Sequence, residues 1–224
     1  SVSINSFLEA MNARGGMSLA NSFVVKIHEH NDPTKKIPFE LPDPVNNGNI
    51  FEFLCDEAQL PNVNTATGTI KGRYMGVGQE NYAHTRIFTE FQLGFQCDAD
   101  MTPLKFMNAW HGMIFNDGMI PAGPGTDLES MQSFSLLPQN RTNSLSYPEH
   151  YCRNISITKT EIGPPGVPLR PSITYYLERA WPFAIDAVPL QFGSTQLTKV
   201  TVQFYYSRHQ IVSNDITAVI PPPK

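Results

Sequence analysis

Apolar and polar residues alternate with a period of two in several short runs of this chain, and fall at helical spacing in two others. The clearest alternation is 87–97, IFTEFQLGFQC. Ile87, Thr89, Phe91, Leu93, Phe95 and Cys97 share one face, and Phe88, Glu90, Gln92, Gly94 and Gln96 share the other. Such a strand buries one side and turns the other to solvent or a partner. Runs at 22–28, 50–55, 151–160, 172–180 and 196–208 also predict strands. The best helix is 103–115, PLKFMNAWHGMIF, with Leu104, Met107, Trp110 and Ile114 as its apolar stripe. Thr102 suits its N-cap, Pro103 its first position, and Asn116-Asp117-Gly118 ends it. A shorter helix is expected over 3–13, capped by Asn5 or Ser6, with Phe7, Leu8 and Met11 on one side and Gly15-Gly16 after it. The fold class is therefore mainly β with one long helix.

The stretches between these elements carry their own signal. Residues 62–86 lack an aliphatic core face, yet hold Ile70, Tyr74, Met75, Val77 and Tyr82. Such residues suit an interface, where Tyr and Met are enriched. Lys71 and Arg73 add charge, and Gly72, Gly76 and Gly78 let the backbone bend. This segment is expected to be an extended β arm or hairpin that packs poorly on its own domain. Ile70, Lys71, Arg73, Tyr74, Met75, Val77 and Tyr82 are its candidate inter-subunit contacts, and the competing reading is a mobile surface hairpin. Residues 117–148 are rich in Gly, Pro, Ser, Asn and Gln with little periodicity, which marks an insertion loop. The end of the chain, from about 210 to 224, reads as a flexible tail. One domain over 1–224 accommodates all of this.

Composition sharpens the picture. Only 16% of residues are charged, against about 25% in an ordinary soluble domain, and Asn, Ser, Thr and Gln fill the gap. A surface short of charge is less protected against association. The formal net charge is −4 and there is no long basic block, which argues against sequence-independent grip on nucleic acid. The three cysteines, Cys55, Cys97 and Cys152, form no CxxC pair and no disulfide framework. No basic stretch leading into an apolar run marks a signal peptide, and no run of about 18 apolar residues predicts a membrane span.

The search for chemistry yields little. Gly76-Val77-Gly78 is followed by Gln79-Glu80-Asn81, which leaves a dinucleotide-binding motif incomplete. There is no nucleophile elbow, phosphate loop or HExxH. His28-Glu29-His30 is the best metal candidate, since the two histidines would share a strand face. Asn31-Asp32-Pro33 follows, however, and Glu40 is too distant to complete a site. The better reading is two exposed histidines at a strand end. Asp98 and Asp100 could serve as an acid/base pair, but carboxylates just ahead of a helix belong there electrostatically. No catalytic, cofactor or metal site is expected.

Three pieces in this order resemble the tail tube proteins of contractile-tailed phages. The first is Phe51-Glu52-Phe53-Leu54-Cys55 running into Ala58-Gln59-Leu60-Pro61. The second is the β arm ending in Phe88, the strand 91–97, and the helix carrying Phe106-Met107-Asn108-Ala109-Trp110. The third runs from Tyr175 to Trp181-Pro182 and then, past a loop, to the strand 198–206, with Ala180 where the family pattern has glycine. Phe7 to Asn21-Ser22-Phe23 fits the family's opening. The resemblance implies a β-sandwich or barrel with a flanking helix, whose strands build an inner β-barrel shared between subunits. It implies hexameric rings stacked into the inner tube of a contractile tail, with sheath, baseplate and tape-measure proteins as partners. DNA would pass through the lumen without specific binding, and no cofactor would be needed. The protein would be assembled in the host cytoplasm and reside in the virion. A tube-end ring, at the baseplate or head side, is the alternative. A soluble β-sandwich binding module and a barrel enzyme using His28 and His30 are more distant ones.

Overall fold

The computed structural model describes residues 3–13, 16–32, 35–37, 39, 54–72, 78–115, 145–161, 170–190, 193 and 197–213. Its architecture is mainly β, as the alternation predicts. The strands are β1 (Phe23–His28), β2 (Cys55–Ala58), β3 (Asn64–Lys71), β4 (Gln79–Ile87), β5 (Phe91–Gln96), β6 (Arg153–Glu161), β7 (Arg170–Ile185), β8 (Lys199–Tyr205) and β9 (Arg208–Ser213). The helices are α1 (Ile4–Ala13), α2 (Thr102–Phe115) and a short α3 (Pro148–Tyr151) that the sequence pattern does not announce. Among the described residues seven strands form one antiparallel sheet in the order β1-β6-β7-β8-β5-β2, with β9 also on β7, and β3 and β4 pair only with each other.

One strand organises the sheet. The first part of β7 pairs with β6 on one side and β9 on the other, and its last residues, Trp181 to Ile185, pair with β8. Between the two parts, Arg179 adopts φ 55 and the β6 register slips, so that Arg153 faces Ala180 and Ile155 faces Leu177. Such a bulge bends and twists a strand. The neighbouring chain breaks at the same level, at Tyr206-Ser207, where the Ser207 N–H donates to Glu178 O at 3.0 Å. The run predicted over 196–208 as one strand is thus two. Residues 210–213, expected at the start of a tail, are paired on β7, and 214–224 lie outside the described residues.

Alternation decides which side chains enter the core. Ile155 and Ile157 on β6, Leu177 on β7, Phe91, Leu93 and Phe95 on β5, and Val200, Val202 and Phe204 on β8 are buried. Helix α2 closes over them, packing on β7, β8 and α3. Its Met107, Trp110 and Ile114 are buried as predicted, and Leu104 is half-buried. The cap differs from expectation: Thr102 is the first helical residue, and Asp98 caps the helix, accepting from the Thr102 amide at 2.7 Å and hydroxyl at 2.6 Å. Burial pushes the Asp98 carboxyl up, but those two hydrogen bonds outweigh it and hold it below its ordinary range. In α1, likewise, Ser3 receives the Ser6 amide at 3.2 Å, in place of the expected Asn5 or Ser6 cap.

Other boundaries shift. The strand expected at 50–55 is β2, Cys55–Ala58, and 50–53 lie outside the described residues. Ile87 ends β4 rather than opening β5. The segment expected as an insertion is described only from 145, where the Ser146 N–H meets Ile114 O at 2.8 Å, so the chain returns to the end of α2. All three cysteines are free. Burial raises the Cys55 thiol to about 12, and also raises Cys97 and Cys152.

Trp110 is the centre of this core. It is fully buried, contacts Phe106 and Phe204 at ring distances of 6.1 and 5.7 Å, and donates from Nε1 to Tyr151 O at 2.7 Å. Trp110→Ala should cost about 3–5 kcal/mol in unfolding of the dissociated subunit. Trp110→Phe should cost about 1–3 kcal/mol through the carbonyl left without its donor. Chemical denaturation of both variants checks this, and an unshifted midpoint for Trp110→Ala would remove Trp110 from the core.

Candidate assembly surfaces

The segment expected as an arm is a hairpin. Strands β3 and β4 pair from Asn64↔Ile87 to Lys71↔Gln79, with a bulge at Ala66/Thr67. Every residue of β4 is exposed, and β3 is exposed but for half-buried Ala66 and Gly68. The Tyr82 ring covers Gly68 across the ladder, so closely that a Cβ there would sit 2.5 Å from it. This aromatic cover over a strand glycine is the pair's own internal packing. It leaves Tyr82 44% exposed, with Ile70 at 46% and Ile87 at 43%. A lone two-stranded hairpin is marginal in water. Of the predicted contact residues, the structure brings Ile70, Lys71 and Tyr82 together on this hairpin. Arg73, Tyr74, Met75 and Val77 lie outside the described residues.

The hairpin is anchored at its base by Phe88, a residue the alternation places on a polar face. Its ring lies 5.8 Å from Tyr206 and 5.2 Å, edge-on, from His209 on β9. Arg86 stands over the same ring at 5.8 Å. His209 is buried, and Nδ1 is 3.3 Å from the Tyr206 hydroxyl. Burial, and then the nearby Arg86 charge, pull its pKa below 6.5.

Two further surfaces lack cover. The outer edges of β1 and β2 have no strand beside them among the described residues. Helix α1 is exposed over Ile4–Glu9, with Ile4, Phe7 and Leu8 at 78%, 46% and 50%, and its Met11 is half-buried. Opposite the core, the face of β1, β6 and β7 is polar and sparsely charged. Hydroxyls and amides are paired across it: Ser22 with Thr160 at 2.6 Å, Thr158 with Thr174 at 3.1 Å, and Asn154 with Tyr176 at 2.9 Å. Exposed charge on the neighbouring strands is offset locally, Lys199 by Glu57 at 2.6 Å and Asp56 at 3.3 Å, and Arg208 by Glu178 at 2.5 Å.

The expected exposed histidines are half-buried instead. His28 Nε2 is 3.0 Å from Ser156 Oγ, its ring is 5.6 Å from Tyr176, and burial, then Lys26, lower its pKa. His30 Nδ1 accepts the Asp32 amide at 3.0 Å. Among the described residues no three His, Cys, Asp or Glu side chains gather as metal ligands, and no helix is long and apolar enough to cross a membrane.

Among the described residues, free strand edges, a projecting hairpin and exposed apolar side chains of α1 are what a structural subunit presents to its neighbours. The chain belongs to the phage tail tube protein family: the sequence model of that family, described as "Phage tail tube protein", matches residues 18–212. No curated protein sequence matches the chain. Solved structures similar to it include a chain of the cryo-EM structure of the anti-feeding prophage (AFP) baseplate, at 14% identity and TM-score 0.47, covering 89% of this chain and 97% of that one. A chain of the PVC sheath–tube complex, an extracellular contractile injection system in the extended state, matches at 13% identity and TM-score 0.45, covering 88% and 92%. A double mutant of the Hcp1 protein from E. coli EAEC 042 pathovar matches at 10% identity and TM-score 0.44, covering 89% and 95%.

His209 yields a pH prediction. Its neutral form is favoured in the fold, so the unfolded chain binds more protons below about pH 6.5, and stability falls as pH drops through that value. His28 acts in the same direction. His209→Phe should flatten, but not abolish, the loss of subunit melting temperature between pH 7 and pH 5. An unchanged slope would show that His209 titrates freely.

Proposed function

We propose that this chain is the subunit of the inner tube of a contractile tail, assembling as hexameric rings that stack into a conduit. The observation that carries this reading is the β3–β4 hairpin, which pairs with no other strand among the described residues yet exposes Ile70, Tyr82 and Ile87. Burying those side chains on a neighbouring copy supplies the apolar contact that the hairpin lacks. Ile70, Lys71, Arg73, Tyr74, Met75, Val77 and Tyr82 are the contact residues. Pairing of free strand edges between copies would also remove the template they offer to improper partners, and would form the shared inner barrel.

In this reading the polar face of β1, β6 and β7 lines the lumen. Apart from Lys26, and outside the cleft that His28 and Asn154 border, its hydroxyls and amides carry no positive charge, so DNA and a tape-measure protein can slide past with little salt-dependent grip. A density map of the tube with this face turned outward would contradict the assignment. The subunit acts mechanically and not as an enzyme, with sheath and baseplate as outer partners, and is assembled in the host cytoplasm.

Replacement of 71–79 by a short Gly-Ser linker tests the reading. The variant should fold with a near-native circular dichroism spectrum and fail to form tubes in negative-stain micrographs. Normal tubes would sink the assignment.

A further inference from the structure

Arg153 occupies an inward-facing position of β6, in line with Ile155 and Ile157, and is only 2% exposed. Its guanidinium donates to three backbone carbonyls: His150 O and Cys152 O, each at 2.9 Å, and Lys35 O. No carboxylate lies within ion-pair distance of it among the described residues, and its Nε has no hydrogen-bond partner there. A buried charge held only by neutral dipoles is costly, and such groups are ordinarily paired.

The wall beside it is also cationic. Arg153, Arg179 and Lys35 line an open cleft of about 370 Å³, together with His28, Cys152 and Asn154. Arg179 is held there by the bulge in β7: its backbone sits at φ 55, and its N–H donates to Asn154 Oδ1 at 3.1 Å. A non-glycine residue in that region is strained, and such strain persists where the surroundings enforce it. Two acidic residues, Glu29 and Glu149, also border the cleft. The Glu29 carboxylate is more than half exposed and already 3.6 Å from Lys36, so Glu149 alone stands against Arg153, Arg179 and Lys35, and the lining stays net positive.

Resting on the tube reading, we infer that this cleft receives a carboxylate from a second copy of the chain, and that Glu80 of the hairpin supplies it. Three observations converge. First, Glu80 is exposed and has no ion-pair partner among the described residues. Second, it sits opposite Ile70 near the far end of the hairpin, seven residues beyond Ile87, or about 23 Å from the base. Third, the hairpin is anchored through Phe88 at the β9 side of β7, whereas the cleft lies on the β1–β6 side. Head-to-tail contacts between copies bring opposite sides of the subunit together, as ring formation requires. Arg153 sets the positive potential behind the cleft, and Arg179 and Lys35 are the accessible donors.

Charge reversal tests this in the full chain. Arg179→Glu should raise the critical concentration for assembly roughly tenfold or more, and Lys35→Glu should do the same should Arg179→Glu disturb the bulge. Glu80→Arg combined with either should restore assembly toward wild type. Glu90→Arg, placed at the hairpin base, should not. Light scattering and negative-stain micrographs read the assembly, and melting of the dissociated subunit confirms folding. Unimpaired assembly of both folded single variants overturns the proposal, as does rescue by Glu90→Arg in place of Glu80→Arg. A wild-type chain that stays monomeric at every concentration would instead sink the tube reading.

Discussion

The bend shared by β7 and the β8–β9 chain is the constraint on which the other parts depend. At Glu178–Ala180 one strand turns through a bulge, and at Tyr206-Ser207 its neighbour breaks at the same level, tied by the Ser207 N–H to Glu178 O. A straight ladder would leave Leu177 and Phe204 on one continuous surface. The bend lets that surface curve around α2, so that Trp110 meets Phe204 and both are fully buried. The same bend places Tyr206 and His209 where Phe88 can grip them, and Arg179 beside Arg153. The core, the hairpin's anchor and the cationic cleft are thus three results of one backbone irregularity.

Much of the architecture was legible because burial here follows a period of two. Phe91, Leu93 and Phe95, or Ile155 and Ile157, are placed correctly by alternation alone, and α2 by its stripe and by Pro103. What alternation cannot reveal is where a regular strand bends. QLTKVTVQFYYSR reads as continuous, yet it breaks before Arg208. The strand expected over 172–180 runs instead from Arg170 to Ile185, continuing through Pro182, which is tolerated beside a register shift.

For the assembly surfaces the outcome divides by residue. The arm over 62–86 was visible as a segment with interface side chains and no core face, and it is a hairpin. Its anchor was not visible, since Phe88 falls on the polar side of the 87–97 pattern and only the break between β4 and β5 at 88–90 frees it to reach His209. Arg153 does carry a signal in the sequence: in RNISI it shares the inward parity of Ile155 and Ile157. An arginine in phase with a buried row is worth treating as a site from sequence alone. The capping of α2 by Asp98 shows the converse, since both Asp98 and Thr102 suit a cap and only the position where the chain turns decides between them.

The state of the three cysteines bears on how such a particle ages. Cys55 is buried with its thiol raised to about 12, and Cys97 and Cys152 are raised as well. The thiolate is the reactive form, so all three are kept in the sluggish one. The three thiols therefore have less tendency than an ordinary cysteine to crosslink or climb the oxidation ladder. The quiet thiols also make a clean background for labelling, in which one cysteine added at an exposed position would react well ahead of the native three.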